Sequence, residues 1–394
     1  MRKTINIGDL GTIITGKTPP TTNKSYYGDY AVFIKPTDIS EQSKYTYETE
    51  EMYSKLAAEK YESSLIPKGA ICVPCIGTIG TKMTMAPCDC YTNQSINSII
   101  CNENYDNEYV YYLIKNFLPG LKAYNLGTAS GREYVSKSNF EKIELVAEQD
   151  KTIQKKIGEF LSRYDSLIEN YQKQIKLLEE AAQRLYKEWF IALHFPGHET
   201  TKIVDGVPEG WEKKSIGEIG EYLNGFAFKP SDWQDLGKPI IKIKEMGNGV
   251  TNETPRNSGE RVPAKYLIKA GDLLFSWSAT LMVIIWSGEE GWLNQHLFKV
   301  TPVKGIDREF LLQSISNAIV EFQNLTTGST MKHIQRNKLD QVFVNVPNAE
   351  IMKRYSDISE KTRSNILSLQ SQLRLLTEAR DRLLPKLMSG EITV

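Results

Sequence analysis

The feature that most constrains this chain is an internal duplication with a period of roughly 200 residues. Ile7-Gly8-Asp9-Leu10-Gly11 returns as Ile216-Gly217-Glu218-Ile219-Gly220. Leu65-Ile66-Pro67-Lys68-Gly69-Ala70 returns, slightly shifted, as Leu267-Ile268-Lys269-Ala270-Gly271-Asp272. Asn93-Gln94 returns as Asn294-Gln295, and Leu126-Gly127-Thr128 as Thr327-Gly328-Ser329. Leu177-Leu178-Glu179-Glu180-Ala181 returns as Leu375-Leu376-Thr377-Glu378-Ala379. The anchors keep their order, so the chain is a duplicated domain and not a short-period solenoid.

Each repeat has two parts. The first is rich in β-branched and aromatic residues interrupted by Gly, Pro and Asn. Runs such as Ala70-Ile71-Cys72-Val73 and Leu281-Met282-Val283-Ile284-Ile285 read as strands, and 107–118 and 307–322 as short helices. The second part is helical. Apolar positions Ile157, Phe160, Tyr164, Leu167, Tyr171, Leu178, Ala181 and Leu185 recur at spacings of three and four, broken by Gln174. The second copy has Ile366, Leu369, Leu373, Leu376, Leu383 and Leu387. Residues 151–190 contain no proline and would make a rod of roughly 60 Å. Stripes this narrow need a partner helix, and pairing the two rods antiparallel is the economical solution; two separate hairpins are the alternative.

The expected fold class is α+β: two mixed α/β domains separated by two long antiparallel coiled-coil helices, with pseudo-twofold internal duplication. The expected boundaries are 1–150 for the first domain, 151–190 for the central helix and 191–210 for a Pro- and Gly-rich linker. The second domain takes 211–348, and the distal helix and C-terminal tail take 349–394.

Lys+Arg and Asp+Glu both number 48, which argues against a protein that coats nucleic acid without specificity. The longest nearly continuous apolar run, Ala279 to Trp286, is far short of the roughly 20 residues of a membrane span. With no apolar leader after Met1, a cytoplasmic location and no membrane partner are expected.

Several motifs invite a catalytic reading and fail it. Gly11-Thr12-Ile13-Ile14-Thr15-Gly16-Lys17-Thr18 fits the P-loop letters, but Pro19-Pro20 forbids the helix that must follow. The five cysteines, Cys72, Cys75, Cys88, Cys90 and Cys101, include two close pairs that could hold zinc. The second repeat lacks them, which favours buried free thiols. His194 and His198 straddle Pro196-Gly197, so no helix aligns them. No methyltransferase, nuclease or nucleotide-cofactor motif is evident. No catalytic residue, metal or cofactor is therefore assigned.

The plan of two globules and two long helices resembles that of type I restriction–modification specificity subunits. Ala379-Arg380-Asp381-Arg382-Leu383-Leu384-Pro385-Lys386-Leu387-Met388-Ser389-Gly390-Glu391-Ile392 is similar to that family's C-terminal signature. So are Arg184-Leu185-Tyr186-Lys187-Glu188-Trp189-Phe190 with Phe195-Pro196-Gly197-His198, and Val207-Pro208-Glu209-Gly210-Trp211. The resemblance implies a non-catalytic subunit that reads a bipartite site on double-stranded DNA, one half-site per target-recognition domain, with the helices as a ruler between them. It also implies a scaffold for two methyltransferase (modification) subunits that modify adenines and for restriction subunits, the ATP-dependent endonuclease. The alternatives are a duplicated coiled-coil scaffold that holds two partner subunits without reading DNA, and a degenerate enzyme.

Under that reading, the loops around Gly127-Thr128 and Gly328-Ser329 carry the short polar and basic side chains that read DNA. The expected DNA-binding residues are Lys17, Lys35, Lys82, Ser130, Arg132 and Tyr134 in the first domain. In the second they are Lys229, Lys242, Lys244, Trp277, Ser329, Thr330, Lys332 and His333. Turn and surface roles are the alternatives. Trp189, Phe190, Leu384 and Leu387, at the apolar helix ends, are expected at the partner interface, with burial in a core as the alternative.

Overall fold

Short β-branched runs bounded by glycine and proline build the same antiparallel sheet twice. The computed structural model describes residues 2–77, 79–127, 133–324 and 336–394. The first repeat supplies β1 (Arg2–Asn6), β2 (Gly11–Thr15), β3 (Ile71–Pro74), β4 (Thr84–Met85), β5 (Ile96–Cys101), helix α1 (Asn107–Phe117) and β6 (Glu144–Glu148). Helix α2 follows at Lys151–Tyr186 and runs into a π turn at Lys187–Ile191. The second repeat supplies β7 (Glu212–Ser215), β8 (Gly220–Asn224), β9 (Leu273–Ser276), β10 (Met282–Ile285) and β11 (Leu297–Pro302). Helix α3 (Arg308–Asn324), β12 (Phe343–Val346) and helix α4 (Ala349–Ser389) complete it.

The main sheets have the orders β2-β5-β3-β4 and β8-β11-β9-β10. Their registers agree: Gly11 faces Cys101 and Ile71 faces Ile99, as Gly220 faces Pro302 and Leu273 faces Val300. β1 pairs with β6 and β7 with β12, both antiparallel. A second sheet in each repeat carries a parallel pair, Ala31–Ile34 with Tyr91–Thr92 and Lys238–Ile241 with Gly291–Leu293. Helix starts are capped alike. Asp106 accepts from the Tyr109 amide (3.1 Å) and Asp307 from the Phe310 amide (3.0 Å), so each satisfies an otherwise orphaned donor.

The chain divides into two compact units, residues 1–170 with 373–394, and 171–372. In the first, Ile7, Leu10, Ile71, Val73, Ile99 and Tyr112 pack with Ile157 and Leu161 of α2 and with Leu384, Leu387 and Met388 of α4. In the second, Ile216, Leu273, Phe275 and Phe310 pack with Tyr186, Trp189 and Phe190, and with Ile351, Met352 and Tyr355 of α4. The helices run antiparallel there. Trp189 meets Tyr355 (ring centroids 6.0 Å), while the earlier Leu178 and the later Leu369 line one groove.

Two expectations are corrected. The buried seam of α2 is Gln154, Leu161, Ile168, Ile175, Ala182 and Trp189, an unbroken seven-residue step. Beyond the buried Ile157, the stripe read from sequence lies one position to its side: Leu167, Gln174 and Ala181 are exposed, so Gln174 interrupts nothing. The corresponding α4 seam contains Met352, Ser359, Ile366, Leu373, Arg380 and Leu387, with Leu373 half-buried. A seven-residue step keeps one line of side chains on the partner, and the adjacent apolar residues pack on its flank.

The second correction concerns the expected partner interface. Trp189, Phe190, Leu384 and Leu387 are core residues, each under a tenth exposed. The helix ends fold back onto the sheets of their own units, which covers the apolar surface that the sequence leaves open.

Candidate nucleic-acid interface

Three loops meet at one end of each main sheet because of the register. In the first unit, β2 ends at Thr15 opposite Asn97, and β3 ends at Pro74 opposite Ile96. The loops that leave these strands, together with the Asn93–Ser95 turn, therefore share an edge. The Gly16 amide donates to the Ile96 carbonyl (3.2 Å), that of Lys17 to Thr92 (2.9 Å), and that of Cys75 to Ser95 (2.7 Å). The second unit repeats the pattern, with Gly225 donating to Leu297 (3.0 Å), Phe226 to Leu293 (2.9 Å) and Trp277 to His296 (3.4 Å).

Glycine is required at the crossing. A Cβ on Gly16 would lie 2.1 Å from the Thr92 carbonyl oxygen, and one on Gly225 would lie 2.1 Å from that of Asn294. Either contact would push the Asn-Gln turn away from the strand end.

The side chains differ where the backbone agrees. In the first unit Thr15 Oγ1 donates to Asn97 (2.6 Å), and Thr18 Oγ1 donates to Gln94 Oε1. In the second, Trp277 Nε1 donates to Asn224 Oδ1 (3.2 Å) and its ring lies 5.8 Å from His296. Ser278 Oγ and His296 Nδ1 are 3.3 Å apart. Exposed Ala279 takes a left-handed φ of 55°. A non-glycine residue in that region stores strain of a kind that concentrates at binding loops.

Of the expected DNA-binding residues, Lys17 and Lys82 lie in these loops, and Tyr134 joins the same end through its backbone bridge to Ile76. Lys229 lies exposed in the segment leaving β8, and Trp277 is at the centre of its cluster. Lys35 and Lys242 occupy equivalent places, each just after the strand whose last carbonyl receives the Asn93 or Asn294 amide (3.1 Å in both). Their environments diverge. The Lys35 ammonium binds Glu50 (2.7 Å) and Glu51 (3.1 Å). Burial works to lower its pKa, but those carboxylates outweigh burial and hold it above the ordinary lysine value. Its charge is thus locally neutralised, which departs from the expected phosphate contact. Lys242 sits 4.4 Å from the centre of the half-exposed Trp233 ring, a cation–π contact, and among the described residues no carboxylate forms an ion pair with it. Lys244 faces Glu253 at 3.4 Å, both exposed, a pairing of little energetic weight. Ser130, Arg132, Ser329, Thr330, Lys332 and His333 lie outside the described residues. Thr18, Gln94, Asn224, Gln295 and His296, which the sequence does not single out as binding candidates, join these sheet-end clusters, and the repeated Asn-Gln pair is the one sequence signal for them.

The motifs set aside on sequence grounds take other roles. β2 occupies the start of the P-loop-like stretch, and no helix follows it before Pro19. Burial pushes the Cys72, Cys75 and Cys101 thiols up to about 12, the behaviour of thiols packed in apolar surroundings. Among the described residues, no group of three His, Cys, Asp or Glu side chains is placed to hold a metal ion. No helix among them is long and apolar enough to cross a membrane.

Comparison with known proteins adds independent findings. Residues 2–180 and 208–373 match the type I restriction modification DNA specificity domain. The type I restriction enzyme MjaIX specificity subunit of Methanocaldococcus jannaschii is 25% identical over 98% of this chain and 93% of its own length. The type I restriction enzyme HindI specificity subunit of Haemophilus influenzae is 36% identical over 44% of this chain and 38% of its own length. In fold, the chain is similar to the S subunit of the type I restriction–modification system from M. genitalium. The TM-score is 0.57 at 15% sequence identity, with 98% of this chain and 96% of that one covered.

Proposed function

We infer function from one premise: this chain belongs to the type I restriction-modification DNA specificity domain family. It is a DNA-recognition subunit of a type I restriction–modification system. Each unit reads one half of a bipartite site in double-stranded DNA through the loops at the end of its main sheet. The observation that carries this reading is the pair of sheet ends: one backbone frame in one register, furnished with unlike side chains. A shared frame docks alike on two stretches of duplex, and unlike side chains distinguish two base sequences.

The subunit itself is non-catalytic and acts in the cytoplasm. Two methyltransferase subunits dock on the duplicated scaffold, one per repeat, and restriction subunits join them. The methyl donor and ATP belong to those partners. Because Trp189, Phe190, Leu384 and Leu387 are buried, docking uses the exposed faces of the units and helices.

The test is binding of the chain, assembled with its methyltransferase subunits, to labelled duplexes across a salt series with random-sequence competitor. The expected result is retention of a sequence-defined subset of duplexes, with two methyltransferase subunits per chain by mass. An assembly that forms with this stoichiometry and prefers no sequence would instead support the scaffold that holds partners without reading DNA.

A further inference from the structure

The two units can be compared position by position, and two polar side chains are common to both sheet ends: an asparagine whose Oδ1 accepts from a backbone amide of its own turn (Ser95 to Asn93, 3.1 Å; His296 to Asn294, 3.3 Å), and the glutamine that follows it. Gln94 and Gln295 occupy the same place in equivalent turns, each beside the glycine that lets the neighbouring strand pass. Gln94 is exposed and Gln295 half-buried. The carbonyl oxygen of each accepts one hydrogen bond, from a different partner. Thr18 Oγ1 donates to Gln94 Oε1, and Asn294 Nδ2 donates to Gln295 Oε1 at 2.6 Å. Among the described residues, no hydrogen bond occupies either Nε2. Each carbonyl retains a second lone pair. Each amide therefore offers a donor and an acceptor side by side.

Around this common element the neighbours differ. Ser95 follows Gln94, whereas His296 follows Gln295 and pairs with Trp277. Cys75 of the first unit stands where the second has Trp277, and Thr15 stands where the second has Asn224. A primary amide fork matches the N7 acceptor and N6 donor of adenine in the major groove.

We propose that Gln94 and Gln295 are equivalent adenine-reading side chains, one for each half-site, and that their unlike neighbours, Thr18 with Ser95 and Trp277 with His296, make the rest of the two half-sites differ. The inference rests on the proposed function and deepens it. It assigns the shared glutamine to a shared base and the unshared side chains to the bases that distinguish the halves.

The experiment maps methylated sites at single-base resolution for the full chain assembled with its methyltransferase subunits. Wild type is compared with Gln94→Ala, Gln295→Ala and the isosteric Gln94→Glu and Gln295→Glu. Each alanine variant should lose about 10- to 100-fold of discrimination at one adenine of one half-site, with the other half unchanged. The glutamate variants keep the shape and lose the amide donor. They should disfavour adenine at that position and shift preference toward cytosine, whose N4 donates. They also keep the inference testable should an alanine variant fold poorly. If a variant weakens methylation of all sites equally, relaxes both halves or changes nothing, the inference is overturned while the proposed function stands. A wild-type assembly that methylates without sequence preference would overturn the proposed function, and this inference with it.

Discussion

Asp165 Oδ1 and Arg380 Nη1 lie 2.6 Å apart inside the first unit, and both side chains are nearly inaccessible to solvent. The Tyr112 hydroxyl donates to the other Asp165 oxygen at 2.5 Å, so the ion pair also ties α2 and α4 to helix α1 of the domain. Arg380 occupies the seam position held by Ala182 in α2. A buried cation there requires its partner. Asp165→Asn alone should cost about 3 kcal/mol, because it removes the buried counter-charge and leaves the guanidinium only the exposed Asp381 carboxylate at 2.8 Å. An apolar replacement of both residues should recover most of that loss. Thermal unfolding of the single and double variants checks this.

The same pair sets an acid limb. Burial raises the Asp165 pKa, but Lys115, Arg380 and the Tyr112 hydroxyl together outweigh burial and hold it below the ordinary aspartate value. A carboxyl whose folded pKa is depressed contributes stability that is present above its unfolded value, about 3.9. That contribution is lost as pH falls through the lower folded value. Stability should therefore decline below about pH 4, and Asp165→Asn should flatten that part of the profile. Denaturant midpoints measured from pH 6 to pH 2 would show the difference; parallel profiles for the two proteins would contradict it.

Trp189→Ala and Leu387→Ala should behave as core lesions. Each side chain is covered by its own unit, so truncation should cost about 2–5 kcal/mol. Variants that remain folded should still assemble with methyltransferase subunits at the wild-type ratio. Calorimetry and mass measurement read the two effects separately, and loss of assembly with unchanged stability would restore the interface reading.

The sequence revealed the duplication and the paired helices because both leave local marks, repeated turns in one case and apolar spacing in the other. It misplaced the helix seam by one residue. Phe160, Tyr164 and Tyr171 are large, mainly apolar side chains that compete in the spacing with the true seam residues Leu161, Ile168 and Ile175. Which line faces inward depends on the partner helix and the sheet, and spacing cannot report that. The fate of Trp189 and Leu387 was hidden for a related reason, since burial there depends on contacts distant in sequence. At the site, Lys35 reads like any loop lysine until Glu50 and Glu51 are seen around it. The Asn-Gln pairs were visible as a repeat, but only the sheet register brings them beside Thr18 and Trp277.

The lysines should separate by their surroundings. Lys17→Ala and Lys229→Ala remove exposed ammonium groups near the sheet ends, and each should lower the salt dependence of DNA binding by about one unit of slope while leaving the recognised sequence unchanged. Lys35→Ala should change the slope much less, because its charge is already matched by Glu50 and Glu51. Binding isotherms across a salt series measure all three; an equal effect from Lys35 would contradict the assignment.

The most direct test of the central claim exchanges one recognition domain. Residues 1–150 would be replaced by the matching segment of a relative with a different target, and the assembled methyltransferase would be assayed by genome-wide methylation mapping. Two units that each read their own half-site predict a hybrid site, with one half changed and the other identical to wild type. Simultaneous loss of both halves in a folded, active assembly, or an unchanged site, would contradict the account.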